Sequence, residues 1–103
     1  MNSEERHEYF RELDRLIADV QRAERVAYRF KGSRDPKMLE QLRGELDESV
    51  EKLKKEELEI LDELWAWFAP VGEWDEYTTP KGTALGQRIF DRVKRLQALT
   101  RKY

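Results

Sequence analysis

The chain contains no cysteine, so disulfides and thiolate metal sites are excluded. Its one histidine, His7, follows Glu4 at Glu-x-x-His spacing. Carboxylate-bridged helical metal sites need two such motifs, so neither a metal nor a cofactor is expected. No apolar run approaches the ~20 residues that a membrane span requires. The segment Met1 to Glu8 is polar and acidic rather than signal-like, which predicts a cytoplasmic protein with no membrane association. Asparagine occurs only at Asn2 while Glu and Arg abound, a thermophilic-like composition.

What the chain does have is charge and periodicity. Charged residues make up 41% and hydrophobic residues 39% of 103 positions. Scattered apolar residues at that charge would read as disorder, but here they recur every three or four positions. One stripe runs Tyr9, Leu13, Leu16, Val20, Ala23, Ala27, Phe30. A second runs Leu39, Leu42, Leu46, Val50, Leu53, Ile60, Leu64, Phe68, and a third Leu85, Ile89, Val93, Leu96, Leu99, Tyr103. Each marks one face of an amphipathic helix.

The boundaries follow from capping chemistry. Asn2 and Glu5 have capping-box spacing, and Gly32 can end the first helix at Lys31. Asp35-Pro36 and Thr79-Pro80 each read as a cap followed by proline in the first turn. Pro70 stops the second helix at Ala69. Gly82 and Gly86 weaken the start of the third, whose regular part is expected from Thr83. The prediction is a single all-α domain with helices over 3–31, 36–69 and 80–102 and a loop over 70–79. The first two form a long antiparallel hairpin, and the third is shorter and basic, giving a three-helix bundle. At ~1.5 Å per residue the third helix runs out before the Gly32 turn. That leaves Ala23, Ala27, Phe30, Met38 and Leu39 to be covered by a second copy, so a homodimer is expected.

Charges inside the stripes carry further expectations. Glu57 lies near the centre of the second stripe and Arg92 within the third, so the hairpin geometry predicts a buried Glu57–Arg92 pair. Glu24 has no evident partner within the chain. Asp35 to Ala69 carries eleven acids and five bases, whereas Pro80 to Tyr103 carries seven bases and one acid. Arg88, Arg95 and Lys102 form the candidate basic face for an acidic partner or nucleic acid, but no nucleic-acid motif accompanies them.

All three tryptophans fall within ten residues, at positions 65, 67 and 74. Trp65 and Phe68 belong to the predicted core. Trp67, Trp74 and Tyr77 are the candidate partner-binding residues, because tryptophan and tyrosine dominate interaction hot spots. Their acidic surroundings favour a protein or a cationic group over nucleic acid. The function expected is that of a non-enzymatic interaction or assembly module.

One stretch points elsewhere. Glu59-x-x-Asp62, followed by Glu-Leu-Trp-Ala-Trp, resembles the second motif of all-α nucleotide pyrophosphohydrolases of the MazG and dUTPase type. The resemblance covers about a turn and a half of helix. It implies magnesium held at a triphosphate with help from a Glu-rich motif on a preceding antiparallel helix. Glu48-x-x-Glu51 has those letters, but on one continuous helix it stands about three turns away. Glu5, Glu8 and Glu12 lie at a plausible level with a different spacing.

Overall fold

A computed structural model describes residues 2–29, 36–70, 74 and 80–101. The Asn2 side chain accepts the Glu5 N–H at 2.8 Å and starts α1, Ser3–Ala27. The helix ends before the expected Lys31. Tyr28 and Arg29 bond back to the Glu24 and Val26 carbonyls, and Arg43 donates Nε to the Ala27 carbonyl at 3.0 Å. An arginine from the next helix thus satisfies one of the terminal carbonyls.

The expected second helix is two helices. The first, α2, runs Pro36–Lys54, and α3 runs Ile60–Phe68. Between them the Glu57 N–H bonds to the Lys52 carbonyl at 2.9 Å and the Glu56 N–H to the Leu53 carbonyl at 3.0 Å. With Glu56 at φ 56°, this is a complete Schellman turn, built on glutamate where glycine is usual. The Tyr9 hydroxyl donates to Glu56 Oε1 at 3.0 Å and ties the turn to α1. The last helix, α4, runs Pro80–Arg101 and is regular from Pro80 rather than from Thr83. Among the described residues there is no strand.

The turn at 55–59 changes the architecture. Tyr9 meets Glu56 while Ala27 meets Arg43, so α2 descends antiparallel to α1. Asp62 meets Gln97 and Trp65 meets Phe90, so α3 and α4 are also antiparallel. Arg88 pairs with Asp19 and Arg95 with Glu12, which makes α4 antiparallel to α1. The helices are therefore neighbours in the cyclic order α1, α2, α3, α4, each pair antiparallel. Among the described residues these four helices stand where three were predicted.

Three of the residues expected to need cover from a second copy are covered within the chain. At equal rise, the 88–19 and 95–12 pairings set residue 80 opposite residue 27, so α4 reaches the end it was expected to miss. Ala23 and Ala27 have no exposed surface and Leu39 is buried, all within one chain. Met38 is half-buried, and Phe30 lies outside the described residues. The interior is continuous from Tyr9 and Leu13 through Leu42, Leu46 and Leu64 to Ile89, Val93 and Leu96.

Candidate functional site

Trp74 is not a surface residue. It is fully buried, its indole Nε1 donates to the Gly82 carbonyl at 2.7 Å, and its ring packs 5.1 Å from that of Phe68. Gly86 makes room for it, since a Cβ there would stand 2.5 Å from Trp74 Cδ1. Of the two glycines that weaken the start of α4 in sequence terms, Gly86 admits the indole and Gly82 supplies its carbonyl acceptor. Trp65, expected in the core, is 45% exposed and lies on Phe90 at 5.5 Å. Tyr77 lies outside the described residues.

Arg92 does not pair with Glu57. Its Nη1 bonds Glu12 at 3.1 Å and its Nε bonds Asp19 at 2.9 Å, while Glu57 is exposed in the turn after α2. The register that would have levelled 57 with 92 assumed one unbroken helix. Arg88 joins Asp19 at 3.2 Å, and Arg95 approaches Glu12 at 3.9 Å. The inner side of the basic face is thereby directed at two buried carboxylates of α1. Lys102 lies outside the described residues. The spacing of Arg88, Arg92 and Arg95 against Glu12 and Asp19 is legible in the sequence as two matching helical edges.

Glu24, without a partner in the sequence reading, faces Asp47 across the α1–α2 seam. Burial first, and then the neighbouring Asp47 carboxylate, hold its carboxyl above the ordinary value of 4.5. Burial and the bond to Glu56 push Tyr9 up to about 12. Both groups serve seams between helices, and neither faces an open site.

Trp67 occupies the remaining position. It lies on the flank of α3 that faces α2, partly packed on the core. Together with Ala66 and Glu63 of α3 it lines a groove whose other wall is Met38, Gln41 and Glu45 of α2. The groove holds about 320 Å³ and is open to solvent. The two walls come from antiparallel helices, three lining residues from each. The apolar floor is Met38 and Trp67, and Glu45 and Glu63 rise on opposite walls. Lys52 of α2, within the field of the lining residue Glu63, bonds Glu48 at 3.0 Å. That bond, with further attraction from Glu63 and Glu57, raises the lysine's affinity for its proton.

The turn at 55–59 also relocates the carboxylates of the pyrophosphohydrolase resemblance. Glu48 and Glu51 now lie on a helix antiparallel to the one carrying Asp62, rather than further along the same rod. They do not converge with it: Glu48 and Glu51 are exposed, and the Asp62 carboxylate accepts from Gln97 at 3.1 Å on the opposite flank of α3. Among the described residues no three His, Asp or Glu side chains stand close enough to share a cation. The chain matches no known protein family, no curated protein and no solved structure, so the groove is read from its own chemistry.

Proposed function

We propose that this chain is a non-enzymatic interaction module whose binding face is the α2–α3 groove. The observation that carries this reading is the position of Trp67. Its indole is anchored on the core on one side and borders an open 320 Å³ groove on the other. Grooves of this size accept a few side chains, and a preorganised tryptophan loses little entropy on binding. Among the described residues the α1–α4 seam is crossed by ion pairs, the α3–α4 seam by an aromatic contact and the α1–α2 seam by the Arg43 bond to Ala27, whereas the α2–α3 seam opens into the groove.

The expected mode is helix-face packing, now at the α2–α3 seam rather than at the Gly32 end. Trp67 is the anchor, with Met38 and Ala66 beside it. Truncating such an anchor typically costs about 2 kcal/mol or more of binding. The test is a photo-crosslinking residue at exposed Ala66, with exposed Arg15 as control, in the protein's native cells. A discrete adduct from position 66 that Trp67→Ala abolishes, with the fold intact by circular dichroism, is the expected result. No adduct, or the same adducts from position 15, rejects the reading.

A further inference from the structure

We infer that the groove's partner is a basic amphipathic helix of another protein, with an apolar side chain beside Trp67 and its lysines or arginines facing Glu45 and Glu63. This inference rests on the α2–α3 face being the binding face. Shape speaks first. The groove is the furrow between two antiparallel rods, and a third rod packs naturally into such a furrow. An extended peptide gains affinity by extending a sheet edge, and among the described residues there is no strand to extend.

Charge then selects the sign. Glu45 lines the groove from α2, where it accepts from Gln41 Nε2 at 3.1 Å, and Glu63 lines it from α3. Lys52 shows what these carboxylates favour: it is held by Glu48 and further attracted by Glu63 and Glu57. The stretch from Asp35 to Ala69 has eleven acids to five bases, so the field around the groove is negative. Nucleic acid has the wrong sign for it. A second copy is also disfavoured, because two-fold pairing of this face would set Glu45 and Glu63 of both copies against one another. The opposite side of the bundle already uses the same recognition chemistry, with the arginines of α4 seated on Glu12 and Asp19 of α1.

The test uses two synthetic helical peptides of about five turns with the same leucine face. One carries lysine and the other glutamate at its polar positions. Each is titrated into the isotope-labelled full chain and followed by amide and indole chemical shifts. The lysine peptide is expected to shift residues 38–45 and 63–67, including the Trp67 indole, and the glutamate peptide to leave them unmoved. The combined exchanges Glu45→Lys and Glu63→Lys are expected to weaken the lysine peptide by about tenfold or more. Unchanged affinity in that variant, equal binding of the glutamate peptide, or shifts confined to other faces overturns the inference. A specific crosslink from position 66 with no response to the lysine peptide leaves the module reading standing and sinks the basic partner. Absence of both sinks both.

Discussion

Gly86→Ala should destabilise the protein even though it improves helix propensity. The added methyl would stand 2.5 Å from Trp74 Cδ1 and 2.8 Å from Trp74 Nε1, with Phe68 Cδ1 at 3.5 Å behind. Comfortable contact needs about 3.5 Å or more, so the indole must retreat by roughly an ångström. It has little freedom to do so, because its N–H is bonded to Gly82 at 2.7 Å and its face lies against Phe68. Overpacking of this kind costs about 1–3 kcal/mol, and losing the indole bond adds about 1 kcal/mol. Alanine's better helix propensity returns about 1 kcal/mol. The net expectation is a loss of about 1–3 kcal/mol, or a fall in Tm on the order of 10 °C. Gly44→Ala is the internal control. It is the same exchange in α2, with nothing within 4 Å of the new methyl, and should stabilise by about 0.5–1 kcal/mol. Urea titrations followed by circular dichroism would read both signs. A Gly86→Ala protein as stable as the parent would refute the packing assigned to Trp74.

Arg92→Ala leaves Glu12 and Asp19, only 8% and 10% exposed, with the more exposed Arg95 and Arg88 as their remaining partners, and should cost about 2 kcal/mol in urea denaturation. Arg88→Ala should cost less than about 1 kcal/mol, because Arg88 is 46% exposed and Asp19 keeps Arg92. A double-mutant cycle between Glu57 and Arg92 should show no coupling, since Arg92 bonds Glu12 and Asp19 instead; a coupling above about 0.5 kcal/mol would restore the unbroken helix. The folded protein holds the Glu24 proton more tightly than the unfolded chain does. As pH rises from about 4.5 through the raised folded value, folding therefore takes up a proton and stability falls. Glu24→Gln should accordingly be more stable than the parent at neutral pH, with the gain vanishing toward pH 4; an equal gain at both would show that burying the ionised Glu24 carboxylate beside Asp47 is not its cause.

The helices were legible because their apolar stripes and caps agree. Asn2 with Glu5, Pro36 and Pro80 mark starts that the structure keeps. The turn at 55–59 was not legible from breakers, because it contains neither glycine nor proline. The stripe also keeps phase across it, from Leu53 to Ile60. One signal was present. Glu57 fills the stripe position between Leu53 and Ile60, directly after Lys54, Lys55 and Glu56. A charge there signals either a buried partner or the end of the seam, and here it is the end. The Glu56 bond to Tyr9 and the Schellman hydrogen bonds hold glutamate in a conformation that local propensity disfavours. Gly82 and Gly86 were read for their cost to the helix, when Gly86 marks the close approach of Trp74. Of the two candidate tryptophans, Trp67 borders solvent and Trp74 does not. Trp67 does so because the folded-back α3 turns one flank of its helix toward α2, a relation between elements that no local pattern encodes.

The central claim is that the chain reverses at 55–59 and so creates the α2–α3 groove. Because cysteine is absent, Gln41→Cys with Ala66→Cys gives two unique attachment points for spin labels. Neighbouring antiparallel helices stand about 8–10 Å apart, so labels on the two groove walls should lie within roughly 20 Å. An unbroken helix would separate the same positions by about 37 Å, at ~1.5 Å per residue. A pulsed electron paramagnetic resonance distance in the shorter range is the predicted result, and a single population near the longer one contradicts the fold and the groove together.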